Sequence, residues 1–576
     1  MLGKAGFYYT GIHNNIQGTS EAYRMQFRSN LVEFISQGCG HAFSVRPVLA
    51  KDTDEPPIVT ASGRVTDSST GKGIAGVNVS DGFNCCVTDG EGYYSMNADV
   101  RARSINITVP AAYEIPLTAT GMPGFYKRID YSVSADVEAD FVLTPRQSSD
   151  SRFTVLVVSD AHIQQDSELA MFKEGPCKDI QQTINKLESS GDAGTIIGIA
   201  LGDQLWDNHS MRESVMNVYA GFRTASGTMP FFQVIGNHDH QYVEEGSDLD
   251  ATAGWFNYFG PTDYSFDIGN AHIVVMDNIE FTGSYGSGSN GHTKINYREK
   301  ITGEQLHWLK QDIANVKDKS GKIVLFCTHA PMYNPIGNSS AVKSLLRNFR
   351  EAHMFTGHIH NLTNYNHKSF KTAGGRSVFE HNIQSLSGMW WLADLSPNGT
   401  PAGYGVYTFD SRGVAAEYNK VWKENDGFQL RVYDGNGSYG GYSWDNPYKG
   451  KFVVRVWDGD DPDVLPEEQT WSLTFVNNGV STPMTRLTSQ ITDKCAAGYI
   501  VKVLYSPYGT GGSATSCSWW TVDAPGGNPS AVNDWKITAR HTLPSGWTKE
   551  YTESSLSIDY TGYALGSHFI TNNNNY

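Results

Sequence analysis

Residues 154–162 read TVLVVSDAH. The apolar residues are consecutive rather than alternating, so a strand here has both faces covered, as in a sheet buried between layers. The chain leaves that strand on an aspartate and, two residues later, a histidine. The same pattern recurs in TIIGIALGD (195–203), FFQVIGNHD (231–239), HIVVMDN (272–278), KIVLFCTHA (322–330) and HMFTGHIH (353–360). Helical periodicity separates these runs at 179–189 (DIQQTINKLES), 212–222 (RESVMNVYAGF) and 303–317, the last opening on Thr302 and Gln305 in capping-box spacing. Buried strands interspersed with helices predict an α/β domain over 150–410.

Outward from this centre the pattern changes. Residues 58–147 carry short alternating runs (TASGRVTD, GVNVSDG, YYSMNAD, RSINITV) broken by Gly, Asn and Asp, the signal of an all-β sandwich. From 411 to 570 helical periodicity disappears and strand-like runs rich in Trp and Tyr take over. Residues 1–50 alternate in EAYRMQF and AFSVRPV, which predicts a small β fragment, and KDTDEPP (51–57) reads as a linker. The fold class expected is multidomain α+β, a central α/β unit flanked by all-β modules.

The chain has 576 residues, 39% hydrophobic and 18% charged, with 44 basic against 60 acidic side chains and a net charge of −16. With no basic block, a nucleic-acid duplex is excluded as a partner that would be gripped by counterion release. No apolar run approaches the roughly 18 residues of a spanning helix. The seven cysteines contain no C-x-x-C, which excludes a zinc ribbon or a redox pair. Cys495 and Cys517 either bridge or remain separate thiols. Asp458-Gly-Asp460-Asp461-Pro-Asp463 lacks the spacing of a calcium loop and reads as an acidic turn.

The strand ends carry the chemistry. Asp160, His162, Asp203, Asn237, His238, His329, His358 and His360 all follow buried runs. Ligand sites of open α/β sheets lie at the carboxyl ends of their strands, so one pocket can collect them. Seven of these, two aspartates, an asparagine and the histidines His162, His329, His358 and His360, are too many ligands for one tetrahedral ion and suit two ions sharing a bridging carboxylate. Such mixed N/O sites take Mn, Fe or Zn. Neither a G-x-S-x-G elbow nor a P-loop follows any strand, so a side-chain nucleophile is not indicated.

The order D-x-H, G-D, G-N-H-D, T-H-x-P, G-H-x-H resembles the calcineurin-like metallophosphoesterase superfamily, relatives of the purple acid phosphatases. The resemblance implies a four-layer α/β/β/α sandwich. It implies a first metal held by Asp160, His162 and His360, a second by Asn237, His329 and His358, and Asp203 bridging them. His238 is implied to contact the phosphate and to act as general acid. Asp207 lies one place from the second carboxylate of the family pattern. The expected function is hydrolysis of a phosphate mono- or diester by in-line attack of a metal-activated water at a dinuclear site. The expected substrate is a small molecule or a lipid or glycan headgroup, and the expected state is a monomer. The alternative is a surface binding or adhesion protein with a catalytically silent phosphoesterase-like core.

The overall arrangement further resembles a bacterial subgroup with an immunoglobulin-like N-terminal module and a β-rich C-terminal domain. Gly388-Met389-Trp390-Trp391 belongs to that likeness and places Trp390 or Trp391 either at the pocket mouth or between domains. The string GHAFSVRPV (40–48) is similar to the close of a bacterial surface-protein domain. Together these imply an exported protein, periplasmic or at the cell surface, although MLGKAGFYYTGIHNN (1–15) has no signal-peptide layout, with a start that is truncated or misassigned. His240, His353 and His381 match no ligand position, and the loops 240–265 and 280–300 are expected to shape the substrate pocket.

Overall fold

The computed structural model describes residues 6–16, 19–28, 31–38, 59–129, 136–147, 152–244, 246–287, 293–333, 336–389, 400–422, 424–436, 448–457, 471–486, 518–542 and 548–556. The chain forms two compact units, Met1–Ile58 and Val59–Tyr576. In the first, strands Gly6–Ile16, Thr19–Arg28 and Leu31–Gly38 make an antiparallel meander, with a register shift between Tyr9 and His13.

The second unit begins with two four-stranded sheets. Val59–Asp67 pairs antiparallel with Tyr93–Ala98 and parallel with both Asp136–Glu138 and Phe141–Leu143. The other sheet runs Cys85–Val87, Asn78–Ser80, Ser104–Ile107, Tyr126–Arg128. Strict alternation along Tyr93–Ala98 turns Tyr94, Met96 and Ala98 inward, the period-2 signature of a half-buried strand. This module is fastened to helix Gly303–Asn315 by buried polar contacts. The Asn78 amide donates to Asp312 at 2.9 Å, the Trp308 indole to Ser80 Oγ at 2.8 Å, and the Cys85 N–H to Gln311 at 3.1 Å.

Two sheets build the central domain. The first has the order Phe231–Gln233, Thr195–Ala200, Phe153–Val158, Gly403–Asp410, Gly413–Val421, its first three strands parallel. The second runs Tyr264–Ile268, Ala271–Val275, Ile323–Cys327, Glu351–Thr356, Ser377–Asn382, Thr363–Lys371. Val155 and Val157 face the second sheet across a core shared with Ile273, Leu325 and Phe355. Leu156 and Val158, on the opposite face of the same strand, pack with Phe172, Ile184, Val215 and Trp255 from the outer helices. Val324, Phe326 and Met354 do the same against Leu309, Ile313, Val342 and Leu346. The result is a four-layer α/β/β/α sandwich, and the double burial of each strand is why its sequence is continuously apolar.

The helix from Gly303 keeps its capping box, with Thr302 Oγ1 accepting from Gln305 N–H and the Gln305 side chain accepting from Thr302 N–H. It ends at Asn315 rather than 317 because Val316 is extended (φ −68°, ψ 122°). The helix expected over 212–222 stops at Tyr219. Strand Gly413–Val421 returns along Gly403–Asp410 in the central sheet, so a boundary at 410 cuts a hairpin.

Beyond it, two further four-stranded sheets, one built on Lys451–Val456 and Ser518–Asp523 and the other on Ser472–Asn477 and Trp535–Thr542, enclose Val432, Phe452, Val454, Trp471, Phe475 and Ile537. Cys85, Cys86, Cys177 and Cys327 are free thiols. Cys495, Cys517, Trp390, Trp391 and the acidic turn 458–463 lie outside the described residues. Among the described residues no helix is long and apolar enough to cross a membrane.

Candidate metal centre

The loops that follow five buried strands meet at one edge of the two sheets. Asp160 and His162 follow Phe153–Val158, Asp203 follows Thr195–Ala200, and Asn237 and His238 follow Phe231–Gln233. His329 follows Ile323–Cys327, and His358 and His360 follow Glu351–Thr356. Of the ten non-glycine residues with positive φ among those described, six sit here: Asp160 (57°), His162 (53°), Asp203 (51°), Asp207 (59°), His358 (71°) and His360 (59°). Left-handed backbone at such residues costs on the order of 1–3 kcal/mol each and persists only where the surroundings over-determine it. Those surroundings are interlocking main-chain bonds, Asp160 N–H to Gly202 O (3.1 Å) and His162 N–H to Asp203 O (2.9 Å). Gly202 (φ 98°) has no room for a side chain: a Cβ there would lie 2.6 Å from His329 Nδ1 and 2.9 Å from the Gly236 main chain.

Three overlapping clusters of Asp and His that could hold metal result: Asp160, His162 and His360; Asp203, His329 and His358; and His162, Asp203 and His238, which overlaps both. In the first, Asp160 Oδ1 lies 3.2 Å from His360 Nε2 and 3.6 Å from His162 Nε2, and the two imidazole nitrogens are 3.0 Å apart. Asp160 Oδ1 is buried and makes no hydrogen bond among the described residues, while Oδ2 accepts from Ser159 Oγ and from His358 N–H. In the second, His329 Nε2 lies 3.1 Å from Asp203 Oδ2, 3.2 Å from Asn237 Oδ1 and 3.1 Å from His358 Nδ1. Asp203 Oδ2 is also 3.9 Å from His162 Nε2, so one carboxylate oxygen faces both groups. Its Oδ1 is occupied by the His238 N–H at 2.9 Å.

The outer ring nitrogens set the inner ones. Nδ1 of His329 faces the Leu201 carbonyl at 2.7 Å, and Nδ1 of His360 faces the Met389 carbonyl at 2.9 Å. A carbonyl only accepts, so each Nδ1 carries a proton. Burial would lower His329, but the Asp203 and Asp160 carboxylates push it up to about 10, so its Nε2 offers a lone pair once a cation takes the place of the second proton. Converging imidazole nitrogens and a buried carboxylate oxygen with no hydrogen bond are unfavourable by themselves, and such a donor set could hold divalent metal. Burial pushes His162 down to about 4, keeping it a neutral donor.

His238 stands beside the donors, its ring centroid 5.3 Å from that of His162. Its Nδ1 is 2.8 Å from Asp207 Oδ1. Burial would lower its pKa, and the Asp203 and Asp207 carboxylates outweigh this and raise it. Asp207, one place off the family spacing, is thus brought onto His238.

Several supports carried no readable signal in the sequence. Asp239 accepts from the N–H groups of Gln204 (3.3 Å), Leu205 (3.0 Å) and Gly236 (3.0 Å), tying the Asp203 loop to the Asn237 loop. Ser385 and Ser387 hydroxyls both donate to the Asp160 carbonyl, at 3.0 and 2.9 Å. Glu299 Oε1 lies 3.3 Å from His358 Nε2. His240 donates to the Gly236 carbonyl (2.9 Å) and pairs with Asp277 (3.0 Å) beneath the same loop. His353 and His381 are bonded to each other (3.0 Å), and His353 also to Glu351 (2.8 Å), in neighbouring strands of the second sheet.

Residues 153–362 match the family model for calcineurin-like phosphoesterase. Residues 59–146 and 380–497 match the models for the N terminal and the C terminal of calcineurin-like phosphoesterase. Purple acid phosphatase 22 of Arabidopsis thaliana is 29% identical over 148 residues, 23% of this chain. The chain spans 30% of the length of that curated relative. Among solved structures, a purple acid phosphatase from seeds of yellow lupin (Lupinus luteus) aligns over 47% of this chain and 54% of its own, at 14% identity and TM-score 0.31. A 5'-nucleotidase from Candida albicans aligns over 46% and 50%, at 13% identity and TM-score 0.27.

Proposed function

Because the chain belongs to the calcineurin-like phosphoesterase family, we propose that it hydrolyses a phosphate mono- or diester at a dinuclear metal centre. Asp160, His162 and His360 would hold one ion, Asn237, His329 and His358 the other, with Asp203 shared. The observation that carries this reading is the single Asp203 oxygen facing His329 at 3.1 Å and His162 at 3.9 Å. When bound, the two divalent cations, Mn, Fe or Zn, neutralise phosphate charge and lower the pKa of water toward neutrality.

The chain's own groups supply the rest. Asp207 accepts a hydrogen bond from His238 Nδ1–H and, with Asp203, stabilises the imidazolium, which leaves the Nε2 proton for the substrate. Water attacks phosphorus opposite the leaving oxygen and gives up one proton to solvent, the bond from phosphorus to that oxygen breaks, and His238 delivers the proton the leaving alkoxide needs and regains one from solvent. The left-handed loops and the Asp239 ties keep the donors in place before substrate arrives, so little reorganisation accompanies reaction. The substrate in this reading is a small phosphate ester or a lipid or glycan headgroup, met by a monomer outside the cytoplasm.

The test is hydrolysis of a chromogenic monoester and a chromogenic diester with added Mn²⁺ by wild type, Asp203→Asn and His238→Ala. We expect turnover in wild type and a loss of about 10²–10⁴-fold in His238→Ala. Turnover unchanged in both variants would defeat the mechanism. A wild type inert on both esters would favour the silent-core alternative.

A further inference from the structure

Three donor imidazoles of the centre have a resolved anchor on the nitrogen that points away from it, and one anchor differs in kind. His329 and His360 rest Nδ1 on main-chain carbonyls and present Nε2. His358 is reversed: Nδ1 points inward, 3.1 Å from His329 Nε2, and Nε2 meets a carboxylate, Glu299 Oε1, at 3.3 Å. Glu299 lies in none of the five sequence blocks. It closes the strand Thr293–Glu299, which pairs antiparallel with Ile279–Ser287 as a hairpin beside the site.

The hairpin is rooted where it can set a geometry. Alternation along Thr293–Glu299 places Ile295, Tyr297 and Glu299 on its less exposed face. Ile295 is buried with Ala251, Ile279, Phe281 and Ala330, the last adjacent to His329. The Phe281 N–H donates to Asp248 Oδ1 at 2.6 Å, fixing the partner strand. Tyr297 stands edge-on to the His358 ring, centroids 6.2 Å apart and planes at 83°. His358 is thus confined by a tyrosine and a carboxylate from one strand.

We propose that Glu299 is a positioning residue that holds His358 in the Nδ1-donating tautomer and so sets the affinity of the second metal site. This rests on the dinuclear reading above. A carboxylate accepting from Nε2–H fixes the ring's orientation, leaves the lone pair on Nδ1 and makes that nitrogen a stronger donor, as outer carboxylates do for ligand histidines generally. The consequence is a hairpin that tunes one ion of the pair and leaves the other alone.

The experiment is Zn²⁺ titration of the metal-free 576-residue chain against a chromophoric chelator, for wild type, Glu299→Gln, Glu299→Leu and His358→Ala. The binding step lost in His358→Ala identifies the second site. In Glu299→Leu that step is expected to weaken by about 10- to 100-fold while the other is unchanged. Glu299→Gln, whose amide oxygen still accepts from Nε2–H, is expected to fall between Leu and wild type. Equal weakening of both steps, or two variants indistinguishable from wild type, overturns the proposal while leaving hydrolysis by the wild type intact. A wild type that binds fewer than two ions overturns the dinuclear reading and this proposal together. Two ions with a Glu299-dependent step but no hydrolysis supports the proposal and removes only the assigned reaction.

Discussion

Gly202 is the point where three parts of the centre touch, and Gly202→Ala tests whether close packing there holds the site. The residue has φ 98°, and an added Cβ would lie 2.6 Å from His329 Nδ1 and 2.9 Å from Gly236 N and Cα. Two costs combine. A side chain in left-handed backbone costs about 1–2 kcal/mol, and forcing atoms into a packed interior about 1–3 kcal/mol. The sum is roughly 2–5 kcal/mol of destabilisation. The contact cost falls on His329, whose Nδ1 would be driven from the Leu201 carbonyl it bonds at 2.7 Å. Gly191 is the natural control: it also has positive φ (71°), at the end of helix Lys178–Ser190, but nothing lies within 4 Å of its Cβ position. Gly191→Ala should therefore cost only about 1–2 kcal/mol and leave metal binding alone. Urea unfolding of metal-free protein, followed by tryptophan fluorescence, reads the stability, and Zn²⁺ titration reads the site. The reasoning is refuted if the two variants lose the same stability, or if Gly202→Ala binds zinc as wild type does.

Two further outcomes follow from other contacts. Asp207→Asn removes one of the carboxylates that raise His238, so the imidazolium is lost at lower pH and the alkaline limb of the kcat profile should move down, with metal content unchanged; a stationary limb contradicts the dyad. His272 is buried between Asp312 (2.9 Å) and Asp267 (2.7 Å), and although burial lowers it, those carboxylates push it up to about 9. A folded value above the unfolded 6.5 means the stabilisation is complete below about pH 6.5 and disappears as pH rises through 9. At about 1.36 kcal/mol per unit the difference amounts to about 3 kcal/mol, so the stability gap between wild type and His272→Gln should narrow by that order from pH 6 to pH 10 in urea melts; a constant gap denies the charged pair.

The layers of the central domain were legible because burial on both faces leaves its mark on every residue of a strand. Val155 and Leu156 enter different cores, yet both must be apolar, and that is visible in TVLVV without any partner in view. The end of the hairpin at Val421 was hidden for the converse reason. Gly413–Val421 is an edge strand with a mixed burial pattern, and its local alternation looks like that of the β domain beyond it.

The chemistry divides in the same way. From sequence alone come the donor types and their placement after buried strands, since an Asp, Asn or His leaving an apolar run is a local fact. Which nitrogen of each ring faces inward, which carboxylate oxygen remains for an ion, and that Asp207 and Glu299 reach His238 and His358 are decided only by the assembled fold. Those choices depend on acceptors distant along the chain, Leu201 for His329 and Met389 for His360. A hydrogen bond chooses between two ring nitrogens by where its acceptor stands in space, and that position exists only once the two sheets have packed.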